Sequence, residues 1–246
     1  WGTFYAFGLG WDISKENFME NADWLNQLKL RGVFGKTGNG IDNSGYYMYR
    51  QTFSHIGTAG YPLGTEMSAM GNVTMENTPL ANPFLTWEKA YKLNVGVDLA
   101  RLKFTADYYN DKYFDLLQNR GKSIELIGQY YPMENIGKVR RFGGDLSITY
   151  QGRVNDLSYY VSANWSCEQS KLLYMDEQEV PEEYLRQTGR PAGAIYGLVA
   201  DGFFTTREEI EKSPVIDGFE NIQPGDIKYK DLNNDKVINE FDRTVI

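Results

Sequence analysis

The sequence predicts an all-β protein, and within that class a transmembrane antiparallel β-barrel with long extracellular loops. Three observations carry this. Period-2 alternation runs for about ten residues, the length a tilted strand needs to cross a bilayer. The composition holds 18 Tyr, 13 Phe and 25 Gly against 8 Pro, which suits strands, turns and aromatic girdles. The connections between the alternating runs are by turns short and long, as periplasmic turns and extracellular loops are.

The strands can be taken in order. In the first, Trp1, Tyr5, Phe7, Leu9 and Trp11 alternate with Gly2, Gly8 and Gly10. A weaker strand runs through Leu28–Gly35. From Lys89 to Leu99 the residues Tyr91, Leu93, Val95, Val97 and Leu99 share one face, and Ala90, Lys92, Asn94, Gly96 and Asp98 the other. Leu102, Phe104, Ala106 and Tyr108 alternate with Lys103, Thr105 and Asp107; Leu146, Ile148 and Tyr150 alternate with Asp145, Ser147 and Thr149. From Leu157 to Cys167 the set Leu157, Tyr159, Val161, Ala163, Trp165 and Cys167 opposes Ser158, Tyr160, Ser162, Asn164 and Ser166. A soluble β-sandwich with one wet face is the competing pattern. Soluble strands average about five or six residues, however. Here the polar face carries Lys, Asp, Asn and Ser, as a watery lumen requires, and Trp and Tyr sit near the ends of the apolar face.

The links Leu99 to Leu102 and Gln151 to Asp156 are short. Residues 36–83, 112–141 and 168–246 form the long stretches, and 168–246 is expected to be one long extracellular loop region. Within it, Thr206-Arg-Glu-Glu209 has the pattern of a capping box, which predicts a short helix over Arg207 to Lys212, stopped by Pro214.

Function classes narrow quickly. A formal charge of −8 argues against nucleic acid. The single Cys167 allows no internal disulfide, and its place in the alternation puts it on the lipid face. The single His55 reads as a loop residue, and a His-based triad would hang on it alone. A glycosidase needs two carboxylates across a cleft, and no pair stands out. No run of roughly 18 apolar residues suggests a membrane helix.

One segment has ligand spacing. In Asp231-Leu-Asn-Asn-Asp-Lys-Val-Ile-Asn-Glu-Phe-Asp242, Asp231, Asn233 and Asp235 fall at positions 1, 3 and 5 of a calcium loop. Val237 would offer its carbonyl at position 7, with Asn239 at 9 and Asp242 at 12. Lys236 stands where the sharp turn wants Gly, so it must adopt positive φ, and Asp242 stands for the usual Glu. The alternative is a loop of Asx-turns. A bound Ca2+ would stabilise the loop structurally. Three weaker candidates are the carboxylates Glu208, Glu209 and Glu211, read first as a solvated helix face; Tyr46, Tyr47, Tyr49 and Trp87, which could stack on sugar rings but read first as girdle or loop packing; and Arg140 and Arg141, which could bind an anion but read first as a surface turn.

The collinear order of several segments resembles the C-terminal half of the SusC/RagA family of TonB-dependent outer-membrane transporters. Those segments are Trp11-Asp-Ile-Ser-Lys-Glu-Asn-Phe18, Trp24-Leu25, Leu28-Lys-Leu-Arg-Gly-Val-Phe-Gly35 and Thr37-Gly-Asn39, then Asn82-Pro-Phe-Leu-Thr-Trp-Glu88 and Asn94-Val-Gly-Val-Asp98. Asp107-Tyr-Tyr109, Asp115-Leu-Leu117, Asn135-Ile-Gly137, Asp201-Gly-Phe-Phe204 and Pro224-Gly-Asp-Ile-Lys-Tyr-Lys-Asp-Leu232 follow in turn. Lys236, Arg141 and Asp145 depart from the family pattern. The resemblance implies a barrel of about 22 strands, with the plug domain, the TonB box and the final strands outside this chain. It implies import of glycans or peptides with a SusD-like surface lipoprotein, energised through TonB, and no enzymatic activity. The start at Trp1 and the end at Ile246 likewise suggest a piece of a longer protein. The alternatives are a siderophore or cobalamin receptor of the same architecture, and a soluble calcium-stabilised carbohydrate-binding sandwich.

Overall fold

The computed structural model describes residues 2–20, 27–40, 47–56, 73–76, 79–99, 103–121, 130–219 and 221–246. The chain divides into two compact units, Trp1–Glu177 and Gln178–Ile246.

The first unit is a wall of long strands. Its elements are β1 (Ala6–Asp12), β2 (Leu28–Asn39), the short β3 (Phe53–Ile56) and β4 (Val73–Glu76), β5 (Glu88–Leu99), β6 (Phe104–Gln118), β7 (Glu134–Val154) and β8 (Leu157–Tyr174). Six of them form one sheet in the order β1-β2-β5-β6-β7-β8, antiparallel throughout, while β3 and β4 pair as a separate hairpin. Every alternating run in the sequence corresponds to one of these six strands. A sandwich would need two packed sheets of short strands; here β7 alone spans 21 residues.

Because the pairings are antiparallel and keep one register over the alternating runs, the alternating faces line up across the sheet. Leu30, Val97, Ala106, Leu146 and Trp165 form one row of the apolar face. Lys29 pairs with Asp98 on the opposite face, and Asp98 with Thr105. Between β7 and β8 the connection is the turn Asn155–Asp156, where Asn155 takes φ 53°, a conformation Asn tolerates better than most residues.

Strand ends depart from expectation. The run over 145–150 lies inside a strand that starts at Glu134, and the run over 157–167 continues to Tyr174, so the last long loop begins after Tyr174 and not at Glu168. Much of 112–141 is strand, and β1 begins at Ala6. The cause is physical. Above the bilayer one face no longer has to be apolar, so the ladder continues while the alternation fades. At Asp115, moreover, φ 57° accompanies a register shift that breaks the period. Arg140 and Arg141 accordingly sit within β7, on opposite faces, and not at a turn. His55 lies in β3 and not in a loop. Trp1, Trp24, Leu25, Tyr46 and Leu102 fall outside the described residues.

The second unit contains β9 (Tyr196–Leu198), β10 (Ala200–Phe203), α1 (Arg207–Lys212), β11 (Val215–Ile216), β12 (Ile227–Tyr229), β13 (Val237–Ile238) and β14 (Arg243–Val245). Its strands pair two by two, β9 with β14, β10 with β12, and β11 in parallel with β13. Phe204, Ile216 and Ile238 form its core, with Leu198, Ile210, Ile222 and Tyr229 packed around them. The helix α1 covers the predicted residues, and the Thr206 Oγ1 accepts from the Glu209 N–H at 3.3 Å. The reciprocal contact is displaced by one residue: Glu209 accepts from the N–H and hydroxyl of Thr205.

Candidate functional site

Two places in the molecule concentrate polar chemistry. The first is the polar face of the wall. Arg31 on β2 donates through Nε to Asp98 on β5 at 3.1 Å and through Nη2 to Asp107 on β6 at 2.6 Å. The guanidinium reaches past Gly96, the residue directly across from it, and a Cβ there would lie 2.5 Å from Asp107 Oδ1. Gly96 is therefore required by a close approach. Asp107 Oδ1 is buried there with no hydrogen-bond partner among the described residues. Lys92 lies 3.5 Å from Asp111, Ser166 donates to Asp145 at 2.6 Å, Ser147 to Asn164 at 2.8 Å, and Thr149 bonds Ser162. Charged and hydroxyl pairs thus run across the strands on this face, as a hydrated lumen wall requires.

At the end of the wall that carries the long connections, two sequence motifs meet. The Asn135 amide accepts from the Thr86 N–H and donates to the carbonyls of Thr86 and Asp115. Asn82, buried, donates to the Met133 carbonyl and accepts from the Phe84 N–H. Glu88 accepts from the Leu117 N–H and from the Asn39 amide. The Asn-Pro-Phe-Leu-Thr-Trp-Glu segment is thus a clamp on the loop bases, since it satisfies backbone groups that leave the ladder.

The second place is the 231–242 loop. Asp231 accepts from the N–H groups of Asn234 (2.6 Å) and Lys236 (2.8 Å), Asn233 from Asp235 (3.0 Å), and Asp235 from Val237 (2.7 Å). Asn239 accepts from Phe241. Asp242 is 0 % exposed and uses both oxygens on backbone donors, Leu232 at 2.7 Å and Asn239 at 3.0 Å. Lys236 takes φ 70°, as its position in a calcium-loop spacing demands. No group of three or more His, Cys, Asp or Glu side chains among the described residues converges as a metal site. Both oxygens of the position-12 carboxylate thus face the loop's own amides.

The other candidates separate. Glu209 is drawn to Thr205 and to the Lys228 ammonium at 3.2 Å, and Thr205, then Lys228, hold its carboxyl below the usual glutamate range. Tyr47 and Tyr49 are exposed and lie 6.1 Å apart, whereas Trp87 packs edge-on against Phe4. Arg140 bonds Asn110 and lies over the Phe142 ring; Arg141 lies 3.9 Å from Glu168. Sequence reasoning missed the Arg31–Asp98–Asp107 cluster, because register, which alone brings the three together, is not written in any one strand.

An antiparallel meander of membrane-length strands, apolar on one face and charged on the other, is the wall of an outer-membrane barrel. The chain belongs to the TonB-dependent receptor family: the model described as TonB dependent receptor-like, beta-barrel matches residues 1–202. TonB-dependent receptor P3 of Formosa agariphila is 28% identical over 98% of this chain, and TonB-dependent receptor SusC of Bacteroides thetaiotaomicron 27% identical over 100% of it. The RagAB peptide transporter superposes over 99% of the chain with a TM-score of 0.70 at 21% identity. The chain spans about a quarter of these relatives' length, 25%, 24% and 25% respectively. The family places the chain in the outer membrane, among receptors and transporters rather than enzymes.

Proposed function

We propose that the parent protein imports glycans or peptides across the outer membrane, drawing energy through TonB and working with a SusD-like surface lipoprotein. The observation that carries this is the whole-chain likeness to SusC and to the RagAB peptide transporter, on a wall whose inner face is polar. This chain supplies part of that wall and several of its connecting loops. The test is extraction of the parent complex in detergent from its source membrane, with native masses of its components, beside uptake of labelled oligosaccharides and oligopeptides by cells lacking the parent gene. A co-purifying lipoprotein and loss of uptake of one of these classes are expected. A complex without a lipoprotein, or uptake lost only for a metal chelate or cobalamin, would favour a siderophore or cobalamin receptor.

For the 231–242 loop we propose a structural role, anchored by Ile238 in the core and by the Asp242 cap. A Ca2+ held by Asp231, Asn233, Asp235, Val237, Asn239 and Asp242 is the second reading, and the φ of Lys236 favours it. Melting of the parent protein in EDTA and in calcium decides between them. Equal midpoints support the self-capped loop, and a calcium-dependent rise supports the cation.

A further inference from the structure

The register places a row of cations at one level on the apolar face. Lys36 on β2 lies opposite Tyr91 on β5, Tyr91 opposite Lys112 on β6, Lys112 opposite Arg140 on β7, and Arg140 opposite Lys171 on β8. Three basic residues therefore face each other directly on adjacent strands. Like charges in such pairs repel. Among the described residues none of the four has a carboxylate in ion-pair range; Arg140 leans on the neutral Asn110 amide.

The level of the row is informative. From Arg140 and Lys171 toward the short turns, the apolar face carries no charge until the tyrosine pair Tyr150 and Tyr159, whose rings lie 6.1 Å apart. Ten residues of strand at about 3.3 Å each, tilted about 40°, span roughly 25 Å along the membrane normal. That matches the apolar band of an outer-membrane barrel. The tyrosines thus mark one interface, and the basic row marks the other, at the end of the long loops. Beside Lys112 an open groove of about 440 Å³ is lined by Tyr5, Phe34, Tyr91, Leu93 and Asn110. Tyr91 stacks between Phe34 and Phe114 there.

The geometry points to a binding site for a phosphorylated lipid of the outer leaflet, its phosphates on Lys36, Lys112, Arg140 and Lys171 and an acyl chain in the Tyr5–Phe34–Tyr91–Leu93 groove. The unneutralised row wants anions that lie in one plane, and headgroup phosphates at the interface are so arranged. The inference rests on the outer-membrane placement of the wall and not on what the protein transports.

The experiment is native mass spectrometry of the full parent protein in detergent, titrated with a bis-phosphorylated glycolipid, the same lipid dephosphorylated, and inorganic phosphate. Wild type is expected to hold the phosphorylated lipid in preference to the dephosphorylated one. Lys112→Gln with Lys171→Gln should weaken that binding roughly tenfold or more, while the charge-matched pair Lys15→Gln with Lys29→Gln should leave it unchanged. Equal retention of both lipids, an unaffected Lys112/Lys171 variant, or displacement of the lipid by inorganic phosphate at comparable concentration would overturn the proposal. No transport or partner enters the readout, so its failure and that of the importer reading are separable.

Discussion

The two units solve the same problem in opposite ways. The strand wall satisfies its backbone through long ladders and buries almost nothing of its own: Leu9 is 85% exposed and Trp165 60%. The loop unit has short two-stranded pieces, yet it holds three of the buried apolar side chains, Phe204, Ile216 and Ile238. The wall is completed by lipid on one face and by further strands at its edges, since unpaired strand edges cannot stay in hydrocarbon. The loop unit is completed by its own side chains, in water. The same kind of substitution should therefore be costly in different positions in the two units.

The largest effect should come from a charge on the lipid face. Leu146 and Ser147 are neighbours on β7 that face opposite ways, near the middle of the apolar band. Leu146→Arg should cost about 2–4 kcal/mol and deplete the heat-modifiable barrel band of the parent protein. Ser147→Arg should be close to neutral. Equal effects of the two would undo the assignment of faces.

In the loop unit the comparable position is a buried carboxylate. Asp242→Ala leaves the N–H groups of Leu232 and Asn239 without acceptors and should cost about 2–3 kcal/mol. Asp231→Ala, at a more exposed turn, should cost about 1 kcal/mol. Protease sensitivity of residues 178–246 in the intact protein should rank the two variants in that order.

Why some of this was legible is itself a matter of where lipid lies. Tyr91 to Leu99 could be read as a strand because hydrocarbon on one face and water on the other enforce the alternation. Glu168 to Tyr174, at the far end of β8, could not, because Gln169 and Lys171 put polar side chains on the apolar face and end the alternation while the ladder goes on. Helix α1 was legible from Thr206 and Glu209 because its cap is local. The Arg31–Asp98–Asp107 cluster was not, because Asp98 and Asp107 lie 67 and 76 positions from Arg31. The 231–242 spacing was legible as a pattern, but the direction in which Asp242 points depends on how the loop packs around Ile238.

The lumen face should respond more weakly than either extreme. Arg31→Gln leaves Asp98 and Asp107 without their shared cation in a half-buried setting, at a cost of about 1–2 kcal/mol. Adding Asp107→Asn should recover part of that loss in a double-mutant cycle on the thermal transition of the parent protein. Strict additivity would mean that the pair is not coupled across Gly96.

The smallest effect is a pH response confined to the loop unit. Glu209 accepts from Thr205 and pairs with Lys228, and these contacts hold its pKa below the ordinary glutamate value. A depressed carboxyl contributes stability that is complete above the unfolded value, about 4.3, and is lost as pH falls through the lower folded value. Amide protection at Thr205 and Glu209, corrected for intrinsic exchange, should therefore hold from neutrality to about pH 5 and fall in the acid range below the ordinary glutamate value. Glu209→Gln should remove that acid step and leave the ladders of β5 to β8 unaltered. Loss of wall protection in the same variant would overturn the expectation that the acid step is confined to residues 178–246.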